Sequence, residues 1–393
     1  MRPMTEKRSI LGLSAAHLVT DLYTPVLPAI LPLLILEYGY PYFIAGLIVT
    51  VFQITSSILQ PVVGWLYDTR GLTVHISYTV LLSAVFISII GFIHSYIIIV
   101  ICAAVGGLAH ALFHPSALGT VSRLTKDGTR GRLTSYFVVG GNLGFAIGPV
   151  IAGVVVGLFG LSGLGLLVIP GLCTAAILWR TLPVPQSLPR EGIGSTANRR
   201  VTAAAIAIAI LVIASAFRSW AIFASIAYFP TYLTQKGLDV VAANALVSGM
   251  LFAGVFGQVV GGTLSDHYGR KEYTLIGLLA SLPPLYLFLH AEGMVAAIAL
   301  ILFGFCLWST FSVSVAMAHE MMPQNVGLVS GLMLGLAVGS GGMGVAATGY
   351  IADLLSLETA LSFTIIPIIG AAVLFFILPY PWGVLRRKTK SPG

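Results

Sequence analysis

Gly64-Trp65-Leu66-Tyr67-Asp68-Thr69-Arg70-Gly71 returns further along the chain as Gly262-Thr263-Leu264-Ser265-Asp266-His267-Tyr268-Gly269. Both stretches read G-x-L-x-D-x-x-G, and they lie 198 residues apart (266 − 68). The same offset carries Pro32 onto Pro230, Gly39 onto Gly237, Gln60 onto Gln258 and Phe113 onto Phe311. A repeat of about half of a 393-residue chain makes the protein two copies of one unit. In a membrane protein, two similar halves flank a shared pathway.

Composition places the chain in a bilayer. It is 57% hydrophobic and 8% charged, against roughly 25% charged in a soluble domain. Apolar runs of about 20 residues recur, each long enough to cross a hydrocarbon core of about 30 Å. Backbone groups find no water there, so the runs must be helices or a closed barrel. A barrel needs alternating strands of about 10 residues. Runs such as 206–216 do not alternate, and helices are predicted.

Twelve spans are expected, at about 9–36, 42–66, 74–93, 96–121, 133–159, 163–182, 202–233, 241–265, 273–290, 294–319, 327–352 and 360–382. The predicted fold is an all-α membrane protein, with twelve transmembrane helices in two pseudo-symmetric six-helix bundles. Residues 1–182 form the first bundle and 183–200 a polar cytoplasmic linker. Residues 201–393 form the second bundle with a short cytoplasmic tail. With both termini in the cytoplasm, 18 of the 20 Lys and Arg fall on that side; Lys236 falls outside and Arg218 within a span. That asymmetry is the positive-inside pattern of a multi-pass plasma-membrane protein. It accounts for the net charge of +7 through the lipid bilayer, with no nucleic acid partner.

The octamers are read as gating loops, after spans two and eight, built on Gly64, Asp68, Arg70 and Gly71 and on Gly262, Asp266, Gly269 and Arg270. Glycine lets helices approach, and aspartate accepts from helix amides or pairs with arginine. A tight turn is the competing reading of one copy, and the repetition weighs against it. Span five carries Gly140, Gly144 and Gly148, then Pro149 and Gly153. Glycines four apart make a flat packing stripe, and proline permits a bend. The three cysteines are scattered through apolar runs with no C-x-x-C spacing, which gives neither a metal site nor a disulfide framework.

The octamers, the twelve spans and the central linker resemble the major facilitator superfamily, and this resemblance covers essentially the whole chain. Gly144-x-x-x-Gly148-Pro149-x-x-Ala152-Gly153 is similar to the span-five signature of its proton-driven exporters, with Ala152 where glycine is usual. Within the superfamily, Ala16-His17-Leu18-Val19-Thr20-Asp21, the segment from Phe52 to Gly64, Phe113-His114-Pro115 and Gly140-Gly141-Asn142-Leu143-Gly144 look like the fosmidomycin resistance family of exporters. The span-four arginine of many drug exporters is absent, its region reading Ile101 to Gly107. The resemblance implies alternating access, with small-molecule substrate and protons as partners, no cofactor, no enzymatic activity and a monomer.

Two charged residues lie deep in spans. Asp21 is about 18 Å into span one, and Arg218 is at similar depth in span seven, at 1.5 Å per residue. An ionised side chain there costs about 2.5–3.5 kcal/mol even on the lenient insertion scale. The offset maps Asp21 onto Ser219, beside Arg218. Arg218 would attract a phosphonate or carboxylate, and Asp21 would carry the proton. A structural ion pair fixing the two halves is the competing reading. His17 precedes Asp21 by one turn, and His110 and His114 share one face of span four. These histidines suit proton handling, polar contact with substrate or structural hydrogen bonding. As a metal site, His110 and His114 lack further ligands, and no metal is assigned. Gln53, Asn142, Tyr228, Trp220 and Trp308 complete the candidate site, with interhelical bonding or packing as the alternative for each.

The expected function is proton-coupled export of a small anionic or amphiphilic compound, a drug or phosphonate. Uptake of an organic anion and lipid flipping are the alternatives. Gly160-Leu161-Ser162-Gly163 matches an intramembrane-protease pattern, but no histidine accompanies it on a suitable span.

Overall fold

The computed structural model describes residues 6–70, 74–124, 130–182 and 201–383, the side chains of 6–8, 68, 69, 122, 123, 130–132, 201–204, 326 and 327 excepted. The linker and the tail from residue 384 lie outside the described residues. The first half comprises α1 (Glu6–Leu22), α2 (Val26–Tyr38), α3 (Tyr42–Arg70), α4 (Ile76–Ile89), α5 (Tyr96–Leu124), α6 (Arg130–Phe159) and α7 (Val168–Thr181). The second comprises α8 (Val201–Gln235), α9 (Val240–Tyr268), α10 (Arg270–Ala280), α11 (Leu282–His290), α12 (Gly293–Met321), α13 (Val326–Ser330), α14 (Val338–Leu354), α15 (Leu357–Ser362) and α16 (Ile365–Ile377). Among the described residues, eleven stretches are long and apolar enough to span a membrane, and Ile76–Phe92 is a shorter apolar helix at the expected place of span three.

Several spans are broken where the sequence supplies a cause. Span one breaks between α1 and α2 at Tyr23-Thr24-Pro25, because proline has no N–H to donate. Span nine breaks at Ser281, just before Pro283 and Pro284. Span eleven is wound as a π-helix over Gly331–Ala337. There Gly335 faces the Pro61 ring of α3: a Cβ on it would lie 2.9 Å from Pro61 Cγ and 3.1 Å from the Ser57 carbonyl.

The repeat has a backbone counterpart. Gly39 (φ 66°) and Gly237 (φ 95°), 198 residues apart, both turn the chain in the left-handed region after their half's first span, as glycine does without a Cβ clash. Pro32 and Pro230 sit inside α2 and α8.

The octamers differ from their reading as loops. Gly64 to Arg70 form the last turns of α3, and Gly262 to Tyr268 those of α9. Nothing in either run breaks a helix, and the second turns only at Gly269, φ 106°. The Asp68 side chain and Gly71 lie outside the described residues.

Hydrogen bonds tie the halves together on the side away from the linker. Asp353 of α14 accepts from the Tyr42 and Phe43 amides at 2.7 and 2.9 Å, capping α3 from the opposite half. The Tyr42 carbonyl accepts from the Tyr228 hydroxyl, and the Asn244 amide donates to the Ala29 carbonyl. Toward the middle, Thr50 Oγ1 donates to the Gly342 carbonyl.

Candidate functional site

Span one delivers its polar stripe to the helix that carries the glycines. Gly140, Gly144 and Gly148 of α6 lie against the carbonyls of Ser14, Leu18 and Leu22, so the two helices match turn for turn. This close approach seats His17 and Asp21 on α6. His17 Nδ1 is 2.8 Å from the Phe137 carbonyl, and its ring stacks on Phe137 at 4.1 Å. A Cβ at Gly141 would fall on the His17 imidazole and 2.7 Å from Asp21 Oδ2. Bare backbone at 141 is therefore a condition of the site.

Asp21 gathers three histidines. Its oxygens lie 3.1 Å from His17 Nε2, 3.6 Å from His114 Nε2 and 3.9 Å from His110 Nε2. The two histidines of α5 meet Nε2 to Nε2 at 2.7 Å. Proton positions follow from donor capacity. A carbonyl only accepts, so His17 Nδ1 must donate to Phe137. Neutral His17 would then present a lone pair to an ionised Asp21, two acceptors at 3.1 Å. A proton must sit between them, on the imidazole or on the carboxyl. A second must sit between His110 and His114.

His17, Asp21 and His114 also offer ligand atoms within 4.8 Å of one another, a set able to hold a metal ion. Of the two α5 histidines, only His114 belongs to that set, with His17 and Asp21 of α1.

Arg218 of α8 is 1% exposed. Its Nη1 donates to the Thr310 carbonyl (3.1 Å) and Ser314 Oγ (2.7 Å), and its Cζ lies 5.1 Å from the Phe311 ring centroid. Nε has no partner. Among the described residues no acid lies within 4.0 Å of it, and Asp21 and Arg218 form no ion pair. Each buried charge is held by its own half.

The remaining candidates divide. Trp220 commits its indole N–H to Thr348 at 2.9 Å, and Tyr228 commits its hydroxyl to the Tyr42 carbonyl at 2.8 Å. Gln53 is buried on α3 against Gly342. Asn142 is half-buried on α6, beside Gly141. Trp308 is half-buried on α12, with ring centroids 5.6 Å from Phe145 and 6.4 Å from Phe311. The far end of the span-five motif packs on the other half: Gly153 faces Asn244, and the Val150 amide, next to Pro149, donates to Ser248 Oγ at 3.0 Å. Just after the second octamer, Arg270 pairs with Asp266 (2.8 Å) and with Glu320 (2.5 Å), and Glu320 also accepts from Tyr380. These contacts lie within the second half.

Gly141, the Phe137 carbonyl, Thr310, Ser314, Ser248 and Asp353 were not singled out from sequence. Gly141 carried a signal, as the glycine that breaks the four-residue stripe. A backbone carbonyl carries none.

Twelve spans in two bundles, with buried polar groups inside each, define a multi-pass membrane transporter. The family profile of the Major Facilitator Superfamily matches residues 11–335 and 211–391. The fosmidomycin resistance protein of Escherichia coli (strain K12) is 32% identical over 381 residues, covering 93% of this chain and 92% of that protein. An uncharacterized MFS-type transporter of Bacillus subtilis (strain 168), YfnC, is 29% identical over 374 residues, covering 92% and 90%. Among solved structures, an inward-facing, occupied bacterial homologue of the human lysosomal transporter Spinster superposes with TM-score 0.80 at 14% identity, covering 95% and 97%. A D-xylose-proton symporter does so at 0.76 and 16%, with the same coverage. The chain belongs to the major facilitator superfamily, as a relative of the fosmidomycin resistance protein. It is a transporter and not an enzyme.

Proposed function

We propose that the protein exports a small anionic or amphiphilic compound, such as a drug or phosphonate, in exchange for protons. The observation that carries this reading is His17, held between a carbonyl and a carboxylate in a geometry that requires a bound proton. Asp21 and His17 take up and release that proton, and His114 and His110 hand it on. Arg218, a buried cation without an acidic partner among the described residues, binds the anion in the opposite half. An uncompensated buried charge is costly, and an anionic substrate relieves that cost. Proton and substrate favour opposite-facing states, so each drives the other's release. The name of the Escherichia coli relative supports the outward direction.

The protein works as a monomer in the plasma membrane, with 1–182 and 201–393 as the rocking bundles and both termini cytoplasmic. The test is phosphonate flux in proteoliposomes under an imposed pH gradient. Wild type should accumulate substrate against its gradient. Asp21→Asn should retain only downhill flux, and Arg218→Ala should lose both. Flux indifferent to the pH gradient in wild type refutes antiport.

A further inference from the structure

The second half holds its charge at one end of a line of aromatic rings. Phe311 lies under the Arg218 guanidinium, and Trp308 is one turn earlier on the same face of α12. Phe145 continues the line from α6, in the other half. The three rings are half-buried, whereas core rings such as Phe229, Phe288 and Phe303 are sealed.

Trp308 differs from Trp220 in one respect. Trp220 spends its N–H on Thr348. Trp308 makes no hydrogen bond through its indole among the described residues, and its nitrogen is not among the buried atoms left without a partner. Gly254 of α9 makes room for the ring: a Cβ there would lie 2.9 Å from Trp308 Cγ. One flank of the indole thus rests on bare backbone.

We infer that the transported anion carries a flat aromatic body, its charged group on Arg218 and its ring along Phe311, Trp308 and Phe145. This rests on the proposed anion site at Arg218 and adds the chemistry of the rest of the molecule. Arg218 Nε is a spare donor for a phosphonate or carboxylate oxygen. Aromatic faces pair with a flat π-system by offset or edge contact. Phe145 moves with one half and Trp308 with the other, so a molecule on this line senses how the halves are placed.

The test uses purified full-length protein in detergent. Thermal stabilisation is titrated with methylphosphonate against phenylphosphonate, and with acetate against benzoate. Each pair shares a head group and differs in the ring. One aromatic contact is worth roughly a threefold to tenfold gain in affinity. The aryl member should therefore act at a concentration lower by about that factor. Trp308→Leu should erase the difference while the small anions still bind, and Trp308→Phe should keep most of it. Phe145→Leu, on the other helix, should reduce it and serves if Trp308→Leu does not fold. Equal potency of the members of each pair in wild type overturns the inference. So does an aryl preference that survives Trp308→Leu, or that survives Phe145→Leu where that variant stands in. If no anion stabilises wild type, or Arg218→Ala changes nothing, the anion site itself is wrong and the inference falls with it.

Discussion

Replacing Gly141 by alanine adds one carbon at the centre of the proposed proton site. The new Cβ would fall on the His17 imidazole and 2.7 Å from Asp21 Oδ2. Phe137, whose carbonyl holds His17, is one turn earlier on the same helix. Any retreat of His17 from the methyl therefore lengthens the 2.8 Å bond to that carbonyl. A retreat of about 1 Å carries it past the usual limit near 3.2 Å. The 3.1 Å contact with Asp21 is disturbed by the same movement. A neutral hydrogen bond contributes about 1 kcal/mol and a charged one about 1.5–3. Alanine regains about 1 kcal/mol over glycine inside a helix. The net loss should be about 1–3 kcal/mol, read as a lower thermal midpoint of the purified protein. Coupling should suffer more: in proteoliposomes, pH-driven accumulation should fall at least tenfold while downhill flux persists. Gly12→Ala on α1, whose Cβ would meet only Leu178 Cδ2 at 4.0 Å, should be neutral or mildly stabilising. Wild-type accumulation and midpoint in Gly141→Ala would refute the assignment of the cluster.

Asp353→Asn weakens the cap on α3 by about 1 kcal/mol. It should open the side away from the linker, detected as faster labelling of a Phe43→Cys reporter by an impermeant maleimide. Ser248→Ala removes the hydroxyl that accepts from the Val150 amide, and should shift the same reporter in the same direction by roughly 1 kcal/mol. Glu320→Gln weakens the contacts to Arg270 and Tyr380 and should change transport rate without changing anion affinity, measured by flux and by titration. The Lys236 ammonium is held above the ordinary lysine range by its hydrogen bond to Glu358. Its contribution is therefore present below about pH 10 and lost as pH rises through the raised value. Glu358→Gln should remove that alkaline dependence of the thermal midpoint, and at neutral pH its effect should vanish in 1 M salt.

The span count was legible because the bilayer punishes any other use of so many apolar residues. The breaks at Pro25 and Ser281 were legible in principle from the adjacent prolines. The π-helix at Gly331–Ala337 was not, since the Pro61 ring that Gly335 faces lies on another helix. Among site residues, the depth of Asp21 and the spacing of His110 and His114 pointed toward one cluster. The partner of His17 is a backbone oxygen, which no residue type announces. The octamers misled as loops because G-x-L-x-D-x-x-G is compatible with helix until its last glycine. The separation of Asp21 from Arg218 depends on which faces α1 and α8 present, and a one-residue mismatch in the repeat was the only hint.

That separation bears on how the protein is made. Among the described residues, the histidines that hold Asp21 lie between His17 and His114, and the groups that hold Arg218 lie between Thr310 and Ser314. A chain inserted from its first residue onward can bury the carboxylate with its histidines before the second half has left the ribosome. The arginine waits only for the fourth helix of its own half. The contacts that hold each charge can therefore form without the other half.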